Sequence, residues 1–228
     1  MDPNRKRWNE GQKLLRQALT GAEDDPNVVT LFLDQHAMLH TAEVSQAECY
    51  SFADELWQGA SEAVIRCLPP KFEHSIAWLV WHIARIEDMT MNVLLAGKPQ
   101  VFHQENWLAH LNISVRHTGN VVMDEADVGE LSQAIDIDWL KAYRIAVGRS
   151  TREVVKQLHP EEFHRKTDPA RLQELLDDGS VAREAMGLIE YWGSLTYAGL
   201  LLMPPTRHNF VHLNEAMKVK QKCYRAKS

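Results

Sequence analysis

Apolar residues recur every three to four positions along almost the whole chain, which is the spacing of one face of an α-helix. The apolar–polar alternation that is typical of a half-buried strand does not occur convincingly, and glycine is sparse within the periodic segments. The pattern therefore predicts an all-α protein.

Prolines and capping residues divide this pattern into predicted helices. Pro69-Pro70 should end the first long helix, because neither proline can donate a helical hydrogen bond. Asp138 is a suitable N-cap for the third helix, and Thr206 can cap the last one after Pro204-Pro205 interrupts the chain. The predicted long helices span about 28–67, 75–95, 138–158, 180–202 and 206–224, with short helices near 105–111 and 170–176. Several long helices, joined by a few short ones, suggest a helical bundle.

The first 27 residues form a separate pattern. Trp8, Leu15 and Leu19 share one helical face, while several basic residues lie on the other, and Asp24-Asp25-Pro26 should end the helix. We expect an amphipathic arm, residues 1–27, that packs on the body or on a second subunit, followed by a helical domain, residues 28–228.

Composition narrows the class of protein. The 228 residues carry a net charge of −6, which argues against a nucleic-acid-binding surface. The longest apolar runs are far shorter than the roughly 20 residues that a membrane helix needs. The charge and the short apolar runs lead us to expect neither a nucleic-acid nor a membrane partner. The three cysteines are odd in number and widely spaced, so we expect free thiols and a cytoplasmic location.

Histidine supplies the candidate chemistry. His82 lies in an apolar stripe of the predicted second helix, where it should point inward. His208 and His212 are four residues apart, so both imidazoles should leave the last helix on the same side and could bind one ion. Asn209 occupies the position of the general base in HExxH, which disfavours a zincin-type protease. Three histidine ligands would leave coordination positions open, as in catalytic metal sites.

Other residues compete for a place in this site. His36 and His40 have the same spacing on the first predicted helix and could be core residues, line a pocket or replace one of the three ligands. Glu43, one turn from His40, could act as a base or as an acceptor for an imidazole N–H. The carboxylates that could hold a ligand imidazole in place, or take part in catalysis, are Glu87, Asp88 and Glu215.

Two stretches carry a resemblance to a known family. Residues 75–97 (SIAWLVWHIARIEDMTMNVLLAG) and 205–216 (PTRHNFVHLNEA), with the order of the long helices, resemble the DinB/YfiT-like superfamily over about residues 28–225. This resemblance implies a four-helix bundle, here with the N-terminal arm and short connecting helices added. It also implies metal ligands at His82, His208 and His212. Pro204-Pro205 departs from the family pattern and either begins the last helix or shifts the histidine pair.

The resemblance also implies a function. It indicates an enzyme of the hydrolase or thiol S-transferase type that depends on one divalent metal ion. Nickel or zinc is the first expectation for that ion, with iron and manganese as further candidates. The implied partners are a small-molecule substrate, such as a low-molecular-weight thiol, and a second copy of the chain in a homodimer. The alternative is a non-catalytic dimeric protein that binds metal or has a stress-associated binding role, and a fourth protein ligand such as His40 or Glu215 would mark it.

Overall fold

The computed structural model describes residues 2–21, 25–119 and 122–225. Within these ranges most residues are helical and no strand occurs, although one isolated bridge joins Lys166 and Thr196. The all-α prediction is therefore confirmed. The helices are α1 Pro3–Thr20, α2 Val28–Ala37, α3 Ala42–Ser45, α4 Phe52–Trp57, α5 Glu62–Ile65, α6 Ile76–Asp88, α7 Val101–Gln104, α8 Trp107–His110, α9 Glu125–Ala134, α10 Ile137–Lys156, α11 Pro169–Asp177, α12 Met186–Ser194, α13 Tyr197–Leu202 and α14 Asn209–Arg225.

The central helix of the fold is α6. The Ser75 hydroxyl caps it by accepting a hydrogen bond from the backbone N–H of Trp78, and every residue of the helix is buried. It continues as a π-helical segment, Met89–Leu95, and ends before Gly97, whose φ of 63° suits glycine. The predicted helix 75–95 is confirmed. Because α10 and α14 both pack against α6, residues of these three helices meet in the interior.

The predicted helix 28–67 is wrong, because the chain forms four short helices there, α2 to α5. Gln46 adopts a left-handed conformation with φ of 54° and ends α3. Ser51 starts α4 by accepting from the N–H of Asp54, and its hydroxyl also donates to the His40 carbonyl oxygen. These local bonds compete with helix hydrogen bonds and break the helix. The apolar spacing of the sequence remains helical and does not reveal this break.

The helix predicted over 138–158 is confirmed as α10, but its cap lies elsewhere. The Asp136 side chain accepts hydrogen bonds from the N–H groups of Asp138 and Trp139, so Asp136 is the N-cap and Asp138 is in the first turn. The short helix predicted near 170–176 is α11, and the segment 180–202 is divided between α12 and α13.

Pro204-Pro205 does not interrupt the last helix as predicted. A π-helical segment, Met203–His208, joins α13 directly to α14. Because proline has no backbone N–H, Pro205 cannot donate a hydrogen bond to the Leu201 carbonyl oxygen. The Thr206 hydroxyl donates to this oxygen instead, over 2.9 Å. Thr206 is therefore not an N-cap. The next carbonyl oxygen, that of Leu202, accepts from the Gln12 amide at 3.1 Å. The Thr206 side chain thus compensates for Pro205, and the histidine pair lies within a continuous helical segment.

Helix α1 packs against α2 and α13 of the same chain. The Trp8 ring is fully buried and stacks on Phe210, with centroids 3.7 Å apart and planes within 5°. The helix ends at Thr20, and Gly21 follows it. The predicted break at Asp24-Asp25-Pro26 falls partly outside the described residues, which exclude Asp24.

The prediction of three free thiols is wrong for two of them. Cys67 and Cys223 form a disulfide across 156 residues of sequence, and Cys49 is free. Their wide spacing carries no signal of this pairing, because only the fold brings the segment after α5 against the end of α14. In the ranges that the structure describes, no helix combines the length and the apolar character needed to cross a membrane.

Candidate metal centre

Three helical segments bring His82, His208 and His212 together. His82 lies on α6, His208 on the π-helical segment and His212 on α14, and one ring nitrogen from each lies within 4.8 Å of the others. The Nε2 atoms of His82 and His208 are 3.2 Å apart. The ring centroid of His212 is 4.5 Å from that of His208 and 5.1 Å from that of His82. The three imidazoles therefore surround one point.

This spacing fits a metal ion. Two nitrogens that each lie about 2.0–2.1 Å from one ion, at ordinary coordination angles, are roughly 2.9–3.4 Å apart. The 3.2 Å between the Nε2 atoms of His82 and His208 falls in this range. The donor set, three imidazoles, suits zinc, nickel, copper and iron.

Hydrogen bonds direct two of these rings. The Nδ1 atom of His82 is 2.7 Å from the backbone carbonyl oxygen of Thr118, and Nδ1 of His212 is 3.0 Å from Glu215 Oε2. Because an oxygen can only accept, each Nδ1 carries the proton and each Nε2 presents its lone pair to the common point. The Nδ1 atom of His208 is buried and has no hydrogen-bond partner in the described ranges.

Burial keeps the imidazoles of His82 and His208 neutral. Loss of hydration lowers the pKa of His82 to about 3, although its bond to Thr118 opposes the shift. Loss of hydration also lowers the pKa of His208 well below its usual value, with His82 and His212 adding to the effect. Hydrogen bonds from His212 and His74 lower the pKa of Glu215 to about 2, so this carboxylate is charged at neutral pH. Metal ligation requires a neutral imidazole, and His82 and His208 meet this condition.

A cleft of about 940 Å³ opens onto the three histidines. Trp78 forms one wall, stacked on His82 with centroids 4.7 Å apart and on His74 with centroids 3.7 Å apart. Met123, Asp124 and Glu125 also line the cleft. A second cavity of about 660 Å³ shares Met123 with the cleft. A small molecule could therefore reach the histidines from solvent.

The structure does not place His36 and His40 in this group. They form a separate, fully buried cluster with Glu87, in which His36 Nε2 is 2.9 Å from Oε1 and His40 Nε2 is 3.1 Å from Oε2. Glu87 therefore contacts these two imidazoles rather than a ring of the three-histidine group.

The other predicted carboxylates are spread over the molecule. Glu43 is exposed and pairs with Arg149 at 3.1 Å. Asp88 is buried and accepts bonds from the N–H groups of Val101 and Phe102 and from the Tyr143 hydroxyl. Of the four candidates, the structure brings only Glu215 into contact with one of the three histidines. Sequence reasoning missed Thr118, because it contributes a backbone carbonyl, which leaves no mark on residue type.

Comparison with known proteins settles the family. The family model of the DinB superfamily matches residues 48–203, more than half of the chain. The chain belongs to the DinB superfamily. The match includes His82 and ends just before His208 and His212.

A solved structure supports the fold. The crystal structure of a conserved protein from Enterococcus faecalis superposes with a TM-score of 0.62 and 15% sequence identity, covering 86% of this chain and 97% of that one. At this identity the similarity shows that the two proteins share a fold. No curated protein matches the chain.

Proposed function

We propose that this protein is a metal-dependent enzyme that holds one divalent cation with His82, His208 and His212. The observation that carries the proposal is the convergence of the three ring nitrogens beside an open cleft, with two of the rings already fixed in the metal-binding tautomer. Membership of the DinB superfamily agrees with this proposal.

The protein would orient the three histidine ligands and leave a coordination position on the ion open for water or substrate. Neither His40 nor Glu215 belongs to the three-nitrogen group, so no fourth protein ligand within the described residues closes it. When bound, such an ion lowers the pKa of a coordinated water or polarises an oxygen or sulfur of the substrate. Thr118 and Glu215 hold the His82 and His212 rings, and Trp78 shields one side of the group from water.

We extend the proposal to hydrolysis or thiol S-transfer on a small molecule, with a low-molecular-weight thiol as one candidate substrate. Nickel or zinc is the metal we favour, followed by iron or manganese, because imidazole ligands suit all of them to different degrees. A homodimer is part of the same proposal. The expected cytoplasmic location rests on sequence alone, and the Cys67–Cys223 disulfide, a bond more common in oxidising compartments, weighs against it.

Elemental analysis of protein purified without a histidine tag tests the metal site. We expect about one divalent ion per chain, and loss of that ion in His82→Ala, His208→Ala and His212→Ala while helicity is retained. Wild-type protein that stays metal-free after incubation with several divalent ions would contradict the site. The metal-loaded protein should then hydrolyse or conjugate a member of a substrate panel, and metal removal should abolish that activity. A loaded protein with no activity would instead support the non-catalytic binding function.

A further inference from the structure

A second polar cluster surrounds Glu87, apart from the three histidines of the candidate metal centre. Four donors, from three helices and one turn, converge on the fully buried carboxylate of Glu87 on α6. One histidine donor lies on α2 and the other in the turn that follows it. Arg144 of α10 donates to Oε2 at 2.6 Å, and the Asn209 amide of α14 donates to the same oxygen at 2.6 Å. The donors are His36, His40, Arg144 and Asn209.

The two histidines and the glutamate could in principle bind a cation themselves, but their surroundings argue against it. With neutral imidazoles, the charges of Glu87 and Arg144 cancel, and burial does lower the pKa of both His36 and His40. A divalent cation would leave two positive charges uncompensated in a fully buried place, which is strongly unfavourable. The two rings are also stacked, with centroids 4.0 Å apart, so each can donate to its own oxygen of the carboxylate.

Asn209 connects this cluster to the metal centre. It directly follows His208, the only one of the three histidines whose Nδ1 has no hydrogen-bond partner in the described ranges. No hydrogen bond at Nδ1 orients the His208 ring from behind, so its placement against His82 relies on the backbone that carries it. That backbone is held by the Asn209 amide, which donates to Glu87 and, at 3.1 Å, to the Pro205 carbonyl oxygen within the π-helical segment.

We infer that Glu87 and Asn209 are positioning residues: their hydrogen bond ties α14 to α6 and so holds the His208 ring against His82. This inference rests on the proposed metal site. It assigns the buried cluster a role in placing a ligand and not a second ion.

Cobalt titration followed by visible absorption tests the inference, because the spectrum reports the coordination of the ion independently of any activity. Asn209→Ala should lower the Co²⁺ affinity about tenfold or more and alter the cobalt spectrum, as loss of a residue that supports a ligand usually does. Asn92→Ala is the matched control. Asn92 is also a buried asparagine whose amide donates to a carboxylate of α6, Asp88, but it lies away from the histidines. It should leave affinity and spectrum unchanged.

Two further variants guard against loss of folding. Asn209→Ser is a milder change that should shift the affinity in the same direction, and Asn209→Gln, which keeps an amide donor, should recover part of it. Wild-type affinity in both Asn209→Ala and Asn209→Ser would overturn the inference and leave the metal site intact. Two Co²⁺ ions per wild-type chain, one of them lost in His36→Ala, would also overturn it. Failure of the wild type to bind Co²⁺ at all would refute the proposed function together with this inference.

Discussion

His212 donates from Nδ1 to Glu215 across one turn of α14, over 3.0 Å, which leaves its Nε2 facing His82 and His208. The bond is self-contained, since both partners lie on the same helix and keep their relation wherever the helix moves. Glu215 also lies near His74 on the cleft wall, 3.7 Å from its Nδ1. One carboxylate thus connects a candidate ligand, His212, with a residue that lines the cleft.

Removal of this carboxylate should weaken metal binding. We expect Glu215→Ala to lower zinc affinity by about 10–100-fold, because the His212 ring loses the partner that sets its tautomer and orientation. Competition against a chromophoric chelator measures the change. Glu43→Ala is the control, since Glu43 is exposed and pairs with Arg149 on the surface, and this variant should bind zinc as the wild type does. Equal affinities in the two variants would mean that Glu215 does not support the ligand.

The buried imidazole of His40 should make the metal-free protein sensitive to mild acid. Desolvation, followed by the nearby Arg144, lowers the pKa of His40 in the folded state well below 6.5, despite the opposing charge of Glu87. As pH falls through about 6.5, the unfolded chain therefore takes up a proton that the folded chain does not. The free energy of unfolding should fall by about 1.4 kcal/mol per pH unit for this proton, and the lowered pKa of His36 adds to the slope.

Urea denaturation between pH 7.5 and 5 measures this slope. His40→Gln keeps an amide that can donate to Glu87 but cannot be protonated in this range, so its slope should be smaller by up to the contribution of one proton. The same slope in wild type and variant would show that His40 carries the same charge in both states.

Sequence periodicity was sufficient to predict the helices whose start and stop signals lie in the neighbouring sequence. Ser75 and Gly97 mark both ends of the central helical segment, and the apolar stripe between them places His82 on an inward face. The spacing of His208 and His212 likewise places them on one side of the last helix, because residues four apart share a face. Their convergence could be expected from this pattern, and their role as metal ligands stays a prediction.

Distant contacts account for what the sequence could not predict. Pro204-Pro205 has the pattern of a helix break, yet the helical segment continues through it, and the Gln12 amide, 190 residues away in sequence, donates to the Leu202 carbonyl oxygen there. The support of His82 by Thr118 is a bond to a backbone atom, which any residue type could provide. The disulfide between Cys67 and Cys223 likewise depends on the fold and not on a local motif.

The disulfide should contribute substantially to stability. Because it closes a loop across 156 residues, we expect Cys67→Ser or Cys223→Ser to lower the free energy of unfolding by about 2–5 kcal/mol. Cys49→Ser, at the free cysteine, is the matched control and should have little effect. Thiol titration of the denatured wild type without reductant should find one of the three cysteines reactive. Three reactive thiols would show that the bond is absent under those conditions.

The stacking of Trp8 on Phe210 should make the N-terminal helix part of the stable core. Trp8 is fully buried and its ring lies parallel to that of Phe210, two residues beyond His208, so Trp8→Ala should lower the free energy of unfolding by about 3–5 kcal/mol. Leu14→Ala on the same helix is the control. The Leu14 side chain is 53% exposed, so its truncation should change stability by less than about 0.5 kcal/mol. Urea denaturation of the three proteins compares them directly, and a Trp8→Ala variant as stable as Leu14→Ala would mean that α1 does not contribute to the core in solution.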